Sequence, residues 1–285
     1  MILSYHPCFV ADKNIICAGR KPDINDLAAI EEADAVVLPQ GGSELLYTMA
    51  KNNCSFVFPN FDARFEYPGK INQIKLFKKT KTPHPKTETF PKVSVFKEKY
   101  SRSPDVPKIP FPIVFKFDWG GEGDMVYYVP SFKELNNLIL KAEEFEKTGQ
   151  SGFLIQENIS SKGKSLRINV IGQQFISFWR ILDNDNGFQS NLSKGAEIDY
   201  DSYPELQEAA YKSVFDFCQK AGINLAGFDI LFSFDTSGVL EMGLFFLEIN
   251  YFFGRRGLGG SEKFYDILVQ EILNWLNELG LSVHL

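Results

Sequence analysis

The apolar positions of this chain fall in short runs closed by glycine, proline or polar clusters, and in longer stretches where they recur at helical spacing. Near the N-terminus, residues 26–33 predict a helix and Ala35-Val36-Val37-Leu38 a buried strand. Gln40-Gly41-Gly42-Ser43 reads as a turn, with Ser43 as N-cap of a helix over 44–51. Residues 55–58 read as a second strand. Strand, turn, helix and strand in that order predict a small parallel sheet. Gly41 and Gly42 then sit at the carboxyl end of a strand, where ligands approach open sheets, although a plain tight turn uses the same residues.

Residues 70–79 predict another helix. Pro83 and Pro85 stop it and stiffen an extended crossing that reads as a boundary. A second proline-rich stretch spans 104–112. The apolar strand at 113–118 carries Lys116 in its interior, and a buried ammonium needs an anionic partner. Gly120, Gly121 and Gly123 follow in a loop, and a strand over 125–129 completes a hairpin. Successive backbone N–H groups in such a loop can line up on phosphate oxygens, though an ordinary hairpin turn has the same composition. A strand rather than a helix comes next, which excludes the Walker and dinucleotide patterns. Residues 131–147 predict an amphipathic helix with a Ser131/Glu134 capping box. Strands are expected at 153–159, 165–172 and 174–180, with Arg167 and Arg180 among apolar neighbours. A polar loop at 188–196, a helix at 204–221 and a final helix at 261–279 follow.

The most informative stretch is Leu244-Phe245-Phe246-Leu247-Glu248-Ile249-Asn250, an apolar strand ending in a carboxylate and an amide. Residues two apart on a strand share a face, so Glu248 and Asn250 project together. The upstream run Gly227-Phe228-Asp229-Ile230-Leu231-Phe232 has one acid within an apolar strand, and Asp235-Thr236-Ser237-Gly238 reads as the turn of a hairpin joining the two. Pairing brings Asp229 near Glu248 and Asn250. A core hairpin with salt-bridged acids is the plain alternative. Hard oxygen ligands at a buried strand end suit a cation such as Mg2+, held by carboxylates and substrate phosphates.

At 285 residues, 44% hydrophobic and 23% charged, the chain is long enough for one or two globular domains. Its net charge of −6 gives no general attraction to nucleic acid or anionic membranes, so any anion site must be locally basic. Cys8, Cys17, Cys54 and Cys218 are scattered and signal neither a zinc site nor a disulfide framework. A reducing cytoplasm is the expected compartment. The N-terminus lacks a basic segment and is broken by Pro7, so no signal peptide is expected, and no apolar run reaches membrane-spanning length. No Ser-His or Cys-His pair suggests a nucleophile.

An ordered set now stands out: a strand lysine, a glycine hairpin, Gln156-Glu157-Asn158-Ile159 at a strand end, two strand arginines, Ser190-Asn191-Leu192-Ser193-Lys194-Gly195, Gly227-Phe228-Asp229 and Glu248-Ile249-Asn250. Over about residues 60–260, its order and spacing resemble the ATP-grasp superfamily, and within it the ribosomal protein S6 glutamate ligase and glutathione synthetase-like branch. That resemblance implies an α/β plus α+β chain: a parallel-sheet pre-grasp domain at 1–68, then an ATP-grasp domain at 69–285. The latter would form two α+β lobes, about 69–155 and about 156–285, clasping the nucleotide. It implies that Lys70 and Lys116 contact ATP phosphates and that Gly120, Gly121 and Gly123 form the phosphate lid. Gln156, Glu157, Asn158 and Ile159 would form the hinge reading the adenine edge. Asp229, Glu248 and Asn250 would hold Mg2+, as two ions, with Mn2+ as a substitute. Arg180, Asn191 and Arg167 would sit by the transferred phosphate.

The implied activity is ATP-dependent ligation of a carboxylate donor to an amine acceptor, a small molecule or a peptide tail, through an acyl phosphate. Dimers or tetramers are common in relatives of this kind, and the resemblance leaves a homo-oligomer open. Some positions depart from the family pattern. Ser165 stands where an acid commonly precedes the strand arginine, and Tyr251-Phe252-Phe253-Gly254 replaces a small-residue turn. Between glycines beyond it, Arg255 and Arg256 are candidates for a substrate carboxylate, or a plain basic turn. No ribose-binding acid stands out past the hinge. An ATP-binding sensor or scaffold that has lost ligase activity, and a small-molecule kinase of the same fold, are the competing readings.

Overall fold

The computed structural model describes residues 1–100, 107–120, 123–182, 195–234 and 240–283. The first layer is a parallel sheet. Its elements run β1 (Ile2–Ser4), β2 (Lys13–Asn14), α1 (Ile24–Glu31), β3 (Ala35–Val37), α2 (Glu44–Asn53) and β4 (Val57–Phe58), with strand order β2-β1-β3-β4. Helix starts are capped as the sequence implies for Ser43, which accepts from the Leu46 N–H at 3.3 Å. α3 (Asp62–Glu66) and α4 (Gly69–Thr80) then lead away from this sheet.

A second, antiparallel sheet follows. Its elements are β5 (Thr87–Phe90), α5 (Val93–Tyr100), β6 (Ile113–Phe117), β7 (Val126–Val129), α6 (Phe132–Lys147) and β8 (Phe153–Glu157), with order β5-β8-β6-β7. Alternation sorts its two faces. Phe115, Phe117, Phe153 and Phe90 pack with Val93 of α5 and Leu135 of α6, while Lys116 points the other way. The α6 helix forms, but its capping box does not: the Ser131 hydroxyl donates to the Glu134 carboxylate and makes no side-chain bond to the helix N–H groups. A charge-assisted bond to an ionised acceptor outcompetes the weaker cap.

The third sheet is also antiparallel. Its elements are β9 (Lys164–Ile171), β10 (Gln174–Ile181), β11 (Glu197–Asp199), α7 (Pro204–Ala221), β12 (Leu225–Phe234) and β13 (Leu240–Asn250), in order β11-β10-β9-β12-β13. A 3-10 turn at Arg256–Leu258 leads to α8 (Ser261–Glu278). One face of this sheet presents Leu166, Ile168, Trp179, Phe228 and Ile230 to Val214 and Phe217 of α7. The other face carries Ser165, Arg167 and Asn169, then turns apolar at Ile171 and Leu225. There Phe264, Leu268 and Ile272 of α8 join Ile2, Val37 and Phe58, so α8 is shared between the first and third sheets. No helix among the described residues is long and apolar enough to cross a membrane.

β1, β2, α3, β5, α5 and β11 have no counterpart in the sequence reading. Most are two to five residues long, too short for a periodic signal, and β5 exists because β8 pairs with it directly after a proline pair. β13 is an edge strand, and its exposed backbone is closed from outside. Gln73 of α4, itself buried, both donates to Ile249 O and accepts from Ile249 N at 2.9 Å, and Phe246 N donates to Pro83 O at 2.9 Å. These bonds dock α4 on the strand that carries Glu248. Replacing Gln73 by Leu strands a buried N–H and C=O, and should cost about 2 kcal/mol, read from denaturant midpoints at unchanged m value.

Candidate functional site

Strand register assembles the polar cluster. Asp229 lies opposite Glu248 on one side and Arg167 on the other, and Gly227 lies opposite Asn250 and Asn169. Opposed residues share a face, so Arg167, Asp229 and Glu248 form one rung and Asn169, Gly227 and Asn250 the next. A register irregularity between Asp229 and Ile230 lets Glu248 and Phe246 point to opposite faces, although they are two residues apart. Arg180 enters from β10 beside Ser165.

Asp229 is the hub. Its Oδ1 accepts from Arg167 Nε at 2.7 Å and Arg180 Nη2 at 2.5 Å, and its Oδ2 from Arg167 Nη2 at 3.1 Å and Asn250 Nδ2 at 3.1 Å. Burial alone would raise the carboxyl pKa, but the Arg167 and Arg180 charges outweigh it and hold Asp229 below the usual carboxylate range. Burial lowers Arg180, opposed by the Asp229 charge. Its Nε donates to Ser165 Oγ at 3.2 Å.

α4 delivers the second set. Asp118, just past β6, accepts from the Ile71 N–H at 2.7 Å and so caps the positive end of α4. Gly69 has φ +74°, and a Cβ there would lie 2.8 Å from the Asp118 carboxylate, so glycine permits the cap. The capped helix points Lys70 at the cluster: its Nζ donates to Gly120 O at 2.9 Å and lies 3.6 Å from Glu248 Oε1. Lys116 is buried and, among the described residues, has no carboxylate ion pair within 4.0 Å. Burial pulls its ammonium down to about 8, the Glu248 and Asp229 charges hold it up, and Lys70 pushes it down. Counting Lys70, Lys116, Arg167 and Arg180 against Asp229 and Glu248, cations outnumber carboxylates four to two when all are charged. The locally basic patch required by an acidic chain is therefore present.

The remaining expected residues are placed as follows. Gln156 is buried in β8 and donates to Thr87 Oγ1 at 2.9 Å, so its side chain serves the sheet. Glu157 is tied to Lys86, whose carbonyl accepts from its N–H at 2.9 Å, and Asn158 and Ile159 lie half-buried beyond the strand end. Gly120 and Gly123 have φ +87° and +80° in the β6–β7 connection. Gly121, Asn191 and the Asp235–Gly238 turn residues lie outside the described residues. Arg255 stacks on Phe264 and Tyr265 at 4.7 and 4.4 Å and donates to Ser261 Oγ at 3.3 Å, and Arg256 is exposed. The tail is anchored to the first sheet: Gln40 Nε2 donates to Tyr251 O at 2.9 Å, and the Arg64 guanidinium lies 4.8 Å from the Phe252 ring.

The sequence profile of the RimK-like ATP-grasp domain matches residues 69–275. The chain belongs to this family. No protein of curated function matches it. Solved structures with the same fold include a RimK domain ATP-grasp protein from Sphaerobacter thermophilus, at TM-score 0.55 and 13% identity over 85% of this chain and 82% of that one. The VanG D-Ala:D-Ser ligase from Enterococcus faecalis superposes at 0.58 and 15% identity over 84% and 68%. N5-carboxyaminoimidazole ribonucleotide synthetase from Thermotoga maritima superposes at 0.59 and 15% over 99% and 70%.

In this RimK-like chain, sequence reasoning missed Asp118, Gln73, Asn169 and Gly227 as parts of the site's construction. Asp118 carried a signal, an acid directly after an apolar strand; the others act through register that only pairing defines. Lys116 generates a pH prediction. Its folded value of about 8 lies below the ordinary 10.5, so the folded state holds its proton less tightly than the unfolded chain. Ligand-free stability should therefore rise as pH climbs from about 8 to 10.5, and, on the expectation that Lys116 contacts nucleotide phosphates, nucleotide affinity should fall as the ammonium discharges through about 8. Titration calorimetry with ADP checks this, and Lys116→Arg should flatten the affinity profile.

Proposed function

We propose that the protein is an ATP- and Mg2+-dependent carboxylate–amine ligase working through an acyl phosphate. The observation that carries this reading is the single sheet face on which Arg167, Arg180, Asp229, Glu248 and Asn250 meet Lys70 from α4. Such a face suits the charge of transferring phosphoryl groups, where catalysis is mostly positioning and neutralisation.

In the proposed reaction a substrate carboxylate oxygen attacks the γ-phosphorus and the bond to ADP breaks. The amine then attacks the acyl carbon, the new C–N bond forms, phosphate leaves and the amine loses a proton. Lys70 and Lys116 neutralise the nucleotide phosphates, with Gly120, Gly121 and Gly123 closing over them. The backbone at Glu157, Asn158 and Ile159 meets the adenine edge. Arg180, with Arg167 and Asn191, steadies the transferred phosphate and then the tetrahedral oxyanion. No side-chain nucleophile is needed.

The donor set suits hard divalent ions. Glu248 offers a carboxylate and Asn250, whose N–H donates to Asp229, has its carbonyl to spare. Among the described residues no three His, Cys, Asp or Glu side chains converge, so Glu248 and Asn250 would hold an ion together with water or phosphate oxygens. When bound, such ions supply charge neutralisation between the phosphates. Asp229 joins them only by sharing its oxygens with two arginines.

Incubation with ATP, Mg2+ and paired panels of carboxylic acids and amines, read as ADP release and a new amide mass, tests the proposal. ADP with a phosphorylated but unligated product would mark a kinase, and nucleotide binding without turnover a sensor; either outcome sinks the ligase reading. Arg180→Ala should lower kcat by about 100-fold or more with little change in the KM for ATP, in line with loss of one preorganised donor.

A further inference from the structure

Arg64 of α3 stands where the first sheet meets the tail that follows β13. The rings of Phe61, Phe65 and Phe252 each lie 4.8 Å from its Cζ, and its Nη1 donates to Gln40 O at 3.0 Å. These contacts fix the guanidinium without neutralising it. A guanidinium stays charged at any ordinary pH, and taking that charge out of water calls for an anion. Arg64 is partly buried, yet it has no carboxylate within 4.0 Å among the described residues. The acids of its own helix are committed elsewhere: Asp62 to Lys51 at 3.2 Å and to the Tyr47 hydroxyl at 2.7 Å, and Glu66 to Lys79 at 3.5 Å. Burial pulls the Arg64 pKa down. The surroundings are open to solvent. Phe252 is 62% exposed even with Arg64 against its ring, and it rests beside the exposed Gly41, where a methyl group would sit 3.7 Å from its Cε1. Gly41 lies past the carboxyl end of β3, on the side where ligands approach open parallel sheets. The Gln40 amide, bonded to Tyr251 O, ties that end to the tail. Phe252 follows Asn250 by two residues, at most about 7 Å of extended chain, so this surface lies beside the proposed reacting centre.

We propose that Arg64 and Phe252 form the acceptor subsite, with Arg64 taking the free carboxylate of an α-amino acid and Phe252 the apolar side chain beside it. This deepens the ligase reading and rests on it for the choice of substrate. The reacting carboxylate must meet the γ-phosphorus, so a carboxylate held at Arg64 is one that does not react, that of the amine acceptor. The chemistry is complementary. Aromatic rings sit against the guanidinium, and its remaining N–H donors are left for carboxylate oxygens. A simple amine brings no anion, and its ammonium is repelled by Arg64. A carboxamide offers a neutral acceptor in place of a charged one. A second carboxylate, in the side chain, would lose hydration against the Phe252 ring. The earlier candidate Arg255 is engaged by Phe264, Tyr265 and the Ser261 hydroxyl instead.

The test is calorimetry with a non-hydrolysable ATP analogue and Mg2+ present. The probes are L-leucine and L-phenylalanine, their carboxamides, glycine and L-aspartate. Wild type should bind the two apolar acids about ten-fold or more tightly than their amides, the scale of a charge-assisted hydrogen bond, and more tightly than glycine or L-aspartate. Arg64→Gln, which keeps a donor for Gln40 O, should lose the preference for acid over amide, and Arg64→Lys should restore part of it. Phe252→Ala should bring leucine and phenylalanine down toward glycine, with the ligand-free melting midpoint unchanged because the ring is mostly exposed. Affinity for the ATP analogue should not change in any variant. A purely structural role for Arg64 predicts a lowered midpoint in Arg64→Gln with the acid preference retained. That result, equal binding of acids and amides by wild type, or binding of no probe would overturn the proposal. Should Arg64→Gln fail to fold, Phe252→Ala carries the side-chain comparison at an exposed position. Acid binding with ATP but without ADP release or amide product would leave the subsite standing and remove the ligase reading. Ligation of an amine that lacks a carboxylate, unchanged in Arg64→Gln, would do the reverse.

Discussion

A carboxylate buried in a sheet must be neutralised where it stands. Asp229 meets that requirement with two guanidinium groups from two other strands, and the rest of the site is arranged around the result. Its neighbours in register, Arg167 and Glu248, cannot shift by one residue without moving to the opposite, apolar face. The geometry of the cluster is therefore bound to the packing of Leu166, Phe228 and Ile230 on α7 beneath it. Packing and chemistry occupy alternate positions of the same strands, so a change that loosens one disturbs the other.

The same economy joins the two later sheets. α4 precedes both in sequence, and three polar contacts fix its position against them. Asp118 caps its first turn, Gln73 seals the edge of β13, and Lys70 reaches between Gly120 and Glu248. Lys70 is thus carried on a helix tied at one end to the glycine hairpin and along its side to the strand bearing Glu248 and Asn250. Lys116 completes the arrangement from β6. It is a lysine whose ammonium burial pulls down to about 8.

Much of this was legible in the sequence because the chemistry sits at strand ends and strand interiors, where a polar residue breaks an apolar run. Lys116, Arg167, Arg180, Asp229, Glu248 and Asn250 all announce themselves this way. Helices with strong periodicity, such as Phe132–Lys147 and Pro204–Ala221, were readable within a residue or so. Short elements were not, because a strand of two or three residues has no period. The Ser131 cap shows the limit of local motifs: the residues are right, but a nearer charged acceptor takes the hydroxyl.

The order of the longer elements, the identity of the polar residues and their face wherever a strand runs without a bulge follow from sequence alone, since side-chain alternation is a property of the backbone. Register across strands does not, because it is settled by how separate faces pack. Only tertiary structure decided that Asp229 is shared by two arginines, that Glu248 faces Lys70 across a register shift, and that Asn169 and Gly227 lie side by side beneath Phe253. These juxtapositions join residues tens of positions apart, and no local pattern encodes them.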